Sequence, residues 1–162
     1  MAMTMQVEGL DKLGEMLNKM GEKAEAAASM GLYEGAGIMA EEMNRAAGSI
    51  KTSEFHYAVF PPAVQRDPTP EEKAVVLSAG AGIARFRKNG SEVDTSVGYS
   101  RAGYAELNGK QVPIALIANA INSGTSFMKK QPFIRKAASG GSQRASKAIA
   151  AKIEDVLKQI SD

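Results

Sequence analysis

Seven apolar residues near the C-terminus, Ala145, Ala148, Ile149, Ile153, Val156, Leu157 and Ile160, recur at steps of three and four, with charged residues between them. The spacing predicts an amphipathic helix over SQRASKAIAAKIEDVLKQI, and such a helix is stable only when its apolar face is covered by other parts of the chain. The N-terminal third carries helical signals as well. Leu10, Leu13, Met16, Leu17 and Met20 form a second stripe of the same period, which Gly21 ends or bends. A longer helical stretch follows from about Glu22 to Ala47, with Leu32, Ile38, Met39 and Met43 as core residues and Glu41 and Glu42 facing water. Gly31 and Gly35 lie one turn apart inside it, where each costs up to about 1 kcal/mol relative to Ala. That cost points to close packing against a neighbour. A membrane role for the glycine pair fails, because acidic residues surround it and no apolar run reaches the roughly 18–20 residues that span a bilayer.

Strand and turn signals fill the middle. Glu54 to Phe60 reads as a short strand, and Pro61, Pro62, Pro68 and Pro70 punctuate an exposed connection after it. Thr69 stands at an N-cap, Pro70 at the first helical position and Glu72 in capping-box position, with Gly80 past the end, so TPEEKAVVLSAG predicts a short helix. Asn89-Gly90 is the favoured two-residue hairpin turn, flanked by Ile83 and Phe86 on one arm and by Val93, Thr95, Val97 and Tyr99 on the other. VPIALIANAIN fits a buried helix or a central strand equally well.

The chain has 162 residues, 44% of them hydrophobic, enough for one compact domain and too few for a second core. It has no cysteine, which excludes disulfides and thiolate metal sites, and MAMTMQVEGL lacks the order of a signal peptide, so a soluble, unexported protein is expected. The net charge of +2 is unevenly placed: residues 1–54 hold nine acidic and five basic side chains, residues 129–162 eight basic and three acidic. An acidic front and a basic end suit association of copies front to end. Solvated helix faces at the two ends would give the same distribution.

Catalytic patterns fail on spacing or context. Gly98-Tyr99-Ser100-Arg101-Ala102 ends in Ala where a nucleophile elbow needs Gly, and the one histidine, His56, precedes the serine. Gly103 to Lys110 has five residues between its glycines where a phosphate loop has four, and Gln111 replaces the magnesium-binding hydroxyl. Gly80-Ala81-Gly82 follows a helix rather than a strand, with Arg85 in place of the third glycine of a dinucleotide site. Ser126-Phe127-Met128-Lys129 matches S-x-x-K without the accompanying elements. His56 alone cannot hold a catalytic metal, and Glu41 and Glu42 are adjacent on a helix and diverge. No catalytic residue, metal or cofactor is expected. Arg85, Arg87 and Lys88 near the hairpin tip, with the basic C-terminal segment, allow sequence-independent contact with nucleic acid, although aromatic stacking residues are scarce.

The stretch NSGTSFMKKQPFI, residues 122–134, is the most informative. Gly124 permits a tight turn, Thr125 and Ser126 can bond the backbone, and Pro132 stops the preceding segment from continuing as helix. Pro132, Phe133 and Ile134 are expected to anchor the chain in the core. Thr125, Ser126, Phe127, Met128, Lys129, Lys130 and Gln131 are left on a protruding loop, an apolar anchor with a charged rim of the kind that binds proteins. A loop whose Phe127 folds back onto its own domain uses the same residues.

VEGLDKL at 7–13, NSGTS at 122–126 and QPFIRKAA at 131–138, with a helical front and a basic C-terminal helix, resemble the neck and tail-completion proteins of long-tailed bacteriophages. The order of elements is similar along nearly the whole chain, while the specific residues lie in these short blocks, the last being the most discriminating. Members often carry Ala-Pro-x-x-Thr-Gly after the long helix where this chain has AAGSIKTSEF at 46–55, and residues 55–80 read as an insertion within a single domain of 1–162. The resemblance implies a non-enzymatic virion subunit at the capsid-tail junction, present in the host cytoplasm during assembly. It further implies an α+β fold, N-terminal helices and a C-terminal amphipathic helix packed on a small antiparallel sheet that contains a β-hairpin. The implied assembly is a ring, six-fold rather than twelve-fold, set between head-completion or connector proteins and tail-tube or tail-terminator proteins, with DNA passing through its centre. Arg85, Arg87 and Lys88 would then line the lumen or touch a neighbouring ring.

Overall fold

The computed structural model describes residues 3–4, 21–54, 65–90 and 92–161. Among them the fold is α+β. Helices α1 (Glu22–Gly48), α2 (Pro70–Ala79), α3 (Ile114–Ser123) and α4 (Phe133–Ser161) combine with seven short strands: β1 (Met3–Thr4), β2 (Gly82–Ile83), β3 (Arg87–Asn89), β4 (Glu92–Asp94), β5 (Ser96–Gly98), β6 (Tyr104–Leu107) and β7 (Lys110–Pro113). The stripe at Leu10–Met20 and most of the strand expected at Glu54–Phe60 lie outside the described residues; Glu54 itself is irregular.

The two long helices form the frame. Gly31 lies against Ile153, Gly35 against Ile149 and Gly141 against Met39 and Glu42, so α1 and α4 run antiparallel. A Cβ placed on Gly31 would fall 2.7 Å from Ile153 Cγ1, and one on Gly35 2.5 Å from Ile149 Cγ1. The glycines therefore let the backbone of α1 settle onto two stiff β-branched side chains. Helix α4 begins at Phe133, nine residues before the predicted segment that opens on Ser142, because Ile134, Ala137 and Gly141 extend the same buried face. Glu42 does not face water as expected: its Oε1 accepts bonds from Arg45 Nη1 at 2.6 Å and Arg144 Nη1 at 2.5 Å, which ties α1 to α4.

The main core gathers Met39, Met43, Ala47, Val76, Ile121 and Phe133, and a smaller cluster of Leu32, Ile149 and Ile153 continues it along the helix pair. Helix α2 has the full capping box: Thr69 Oγ1 accepts from Glu72 N, and Glu72 Oε2 accepts from Thr69 N. VPIALIANAIN resolves as helix from Ile114, after Val112 and Pro113 close β7, with Ile117, Ala118 and Ile121 buried and Leu116 exposed, and Gly124 at φ 77° ends it.

The strands form three small antiparallel sheets, of order β1-β5-β2, β3-β4 and β6-β7. The expected hairpin is thus a separate ribbon. Asn89 pairs with Glu92, so the loop opens on Gly90, at φ 62°, one residue later than the Asn-Gly pattern implies. A second ribbon, β6-β7, has no counterpart in the sequence expectations. Residues 103–110 hold an Asn108-Gly109 turn with φ of 51° and 73°, the type I′ signature, and Leu107 pairs with Lys110 across it.

Candidate protein interface

The bend after α3 is built from its own polar groups. Thr125 Oγ1 accepts bonds from Phe127 N at 3.3 Å and Met128 N at 3.0 Å, and Thr125 N donates to Met128 O at 3.0 Å. A second segment then clamps it. Arg66 N donates to Phe127 O at 2.9 Å and Lys129 N donates to Arg66 O at 2.8 Å, an isolated parallel bridge between Arg66 and Met128. Gln65 Nε2 donates to Thr125 O at 2.7 Å. Because successive side chains of extended backbone point to opposite sides, Phe127 and Met128 part company. Phe127 is 54% exposed, with the Arg66 guanidinium 5.9 Å from its ring centre, and Met128 is 3% exposed inside the core.

This corrects the exposure expected of Met128 and Gln131. Met128 is a core anchor, not part of an exposed pair, since the alternation at the bridge turns it inward. Thr125 is half-buried and bonds the backbone within the turn, as its residue type leads one to expect. Gln131 is spent internally: its amide accepts from Lys51 N at 2.9 Å and donates to Lys51 O at 2.8 Å, as a neighbouring strand would, fastening the bend to the chain just past α1. Ser126, Phe127, Lys129 and Lys130 are exposed. Pro132 is half-buried, and Phe133, 2% exposed, and Ile134 are buried. Phe133 meets the Tyr99 ring edge-on at 6.1 Å, and burial pushes the Tyr99 hydroxyl up to about 12.

The clamp is held by a half-buried ion pair that local sequence signals did not reveal. Arg66 Nη1 and Nη2 reach Glu72 Oε2 and Oε1 at 2.8 and 2.7 Å, a bidentate arrangement, while the same carboxylate caps α2. Burial pushes the Glu72 carboxyl up, but the Arg66 hydrogen bonds and charge and the Thr69 N–H outweigh it, leaving Glu72 below the usual carboxylate range. Residues 65–68 are therefore not part of a wholly exposed connection: Pro68 is buried and Arg66 and Asp67 are half-buried.

Positive charge collects at the bend. Lys129 approaches Asp67 at 3.7 Å, Lys130 has no acidic partner among the described residues, and Arg135 and Lys136 project from the first turn of α4. Cations at a helix N-terminus oppose the macrodipole, so their place there is not explained by helix stability. At the hairpin, by contrast, Lys88 pairs with Glu25 of α1 at 2.5 Å and Arg87 lies 3.7 Å from Asp94, while Arg85 has no ion pair among the described residues.

Other chemistry is thin among the described residues. A cleft of about 630 Å³ is lined by Glu54, Arg66, Thr69, Glu71, Glu72 and Leu107 among others; Arg66 and Glu72 satisfy each other there, and Glu54 and Glu71 are exposed. Among the described residues no group of three or more His, Asp or Glu side chains is placed to hold a metal ion, and no helix is long and apolar enough to cross a membrane. Ser100 Oγ accepts from Ala102 N within a turn, and His56 lies outside the described residues. No family model, curated protein or solved structure matches the chain.

Proposed function

We propose that the chain is a structural virion subunit of a long-tailed bacteriophage, a neck or tail-completion protein that assembles as a ring at the capsid-tail junction without enzymatic activity. One observation carries the reading: a bend braced by backbone and side-chain bonds holds Phe127 out to solvent beside four exposed cations. A large aromatic kept exposed on a rigid support, with a charged rim, has the form of a binding hot spot. Around such a ring the neighbours are head-completion and tail-tube or tail-terminator proteins, with DNA passing through.

Negative-stain microscopy and light scattering of the purified protein, alone and with phage heads, test the proposal. Rings, or rings formed only on a neighbouring neck protein, are expected, and Phe127→Asp should block attachment of tails to heads while leaving the fold intact. A strict monomer with no affinity for any virion component overturns it. The cluster Lys129, Lys130, Arg135 and Lys136 also favours a second reading, sequence-independent nucleic-acid binding. That reading requires a DNA affinity falling with salt at a log-log slope of about −0.9 per phosphate neutralised.

A further inference from the structure

Helix α1 carries an exposed apolar stripe that no described residue covers. Met30 is 52% and Tyr33 61% exposed, Ala26 is exposed beside them, and Glu34 and Glu41 flank the stripe on one side with no ion pair among the described residues. Gly37 continues the stripe, and a Cβ there would meet nothing within 4 Å, unlike those at Gly31 and Gly35. Its lack of a side chain thus has no explanation among the described residues.

The stripe and the bend complement each other in chemistry: apolar with an acidic rim, and aromatic with a basic rim. They cannot meet within one molecule. The bend is fastened to Lys51, beyond the C-terminal end of α1, whereas Met30 and Tyr33 lie roughly 20–27 Å back along that helix at 1.5 Å per residue. A patch and its complement at opposite ends of one chain make a heterologous contact, which closes into a ring when the rotation permits.

We infer that Phe127 of one copy docks on the Met30–Tyr33 stripe of the next copy's α1, with Lys129 and Lys130 facing Glu34 and Glu41. The inference rests on the proposed ring and names the surface that forms it. The absence of cysteine makes the test clean. Ser126 and Glu34 are both exposed, next to Phe127 and on the rim of the stripe. On mild oxidation at concentrations where the protein oligomerises, or on assembled particles, the S126C/E34C double variant should give a covalent ladder. A mixture of the two single variants should give a dimer, and neither single variant alone should cross-link. Tyr33→Asp should abolish oligomers with an unchanged melting curve.

Self-linking of S126C, or assembly without the S126C–E34C link, overturns the inference and leaves the neck reading standing. Absence of any oligomer and of binding to virion components overturns both. If Tyr33→Asp instead lowers the melting temperature of a chain that stays monomeric, the stripe is covered by its own chain, for which the apolar stripe Leu10–Met20 is the obvious source, and the inference falls.

Discussion

Two glycines two residues apart on α1 should respond to the same substitution with opposite sign. At Gly35 an added methyl would lie 2.5 Å from Ile149 Cγ1, 2.6 Å from Ile149 Cδ1 and 3.3 Å from Ala145 O. Ile149 is buried and β-branched, so it cannot swing aside, and the helices must part by some tenths of an ångström. Overpacking of this kind costs about 1–3 kcal/mol, against which Ala regains up to about 1 kcal/mol of helix propensity, so Gly35→Ala should lose roughly 1–2 kcal/mol. Gly37→Ala meets no clash and should gain about 0.5–1 kcal/mol. Urea denaturation reads both, with a midpoint lower by roughly 0.5–1 M for Gly35→Ala and higher for Gly37→Ala at unchanged slope. A double-mutant cycle with Ile149→Ala supplies the mechanism, because the pair should cost less than the sum of its members. Midpoints that move in the same direction for both glycines would refute the packing of α1 on α4 described above.

The bend yields a second contrast. Phe127→Ala should leave the melting curve within about 0.5 kcal/mol of wild type, whereas Met128→Ala, one residue on, should lose about 2–5 kcal/mol and Phe133→Ala about 3–5 kcal/mol. Equal costs at 127 and 128 would show that the inward and outward assignment is wrong. The Arg66–Glu72 pair predicts acid sensitivity. The Glu72 carboxyl is held below its ordinary value, so its contribution is complete above the unfolded carboxylate pKa of about 4.3 and is lost as pH falls through the lower folded value. Glu72→Gln should cost about 1–3 kcal/mol at pH 7 and flatten that part of the profile; an unchanged acid limb of the stability curve would sink the assignment.

What was legible in the sequence is what local chemistry decides. The capping box at Thr69 and Glu72 and the stop at Gly80 follow from neighbouring residues, as do the periods of the two long helices. Gly31 and Gly35 could be read as a close approach because their helix cost is local even though the partner is not. Ribbons were harder. Asn89-Gly90 and Asn108-Gly109 present the same dipeptide; the second has both positive φ angles, yet Gly103 and Gly109 also imitate a phosphate loop, which obscures the turn. The strands Tyr104–Leu107 and Lys110–Pro113 pair at equal length about that turn, but YAEL and KQVP lack a clean apolar–polar alternation to announce them.

The bend marks the boundary between local and long-range information. Gly124, Thr125 and Pro132 announce a reversal, and a reversal leaves a protruding loop unless something far away in sequence holds it. Here residues 65–67, about 60 positions earlier, supply a short bridge, and that bridge imposes the two-residue alternation which buries Met128 and exposes Phe127. No pattern inside 122–134 encodes it. The ion pair that steadies the bridge serves α2 as well, so one carboxylate at Glu72 couples a helix cap to the posture of an exposed aromatic. Loss of that carboxylate should therefore weaken binding at the bend beyond what its effect on global stability accounts for, a difference that binding measured well below the melting temperature would reveal.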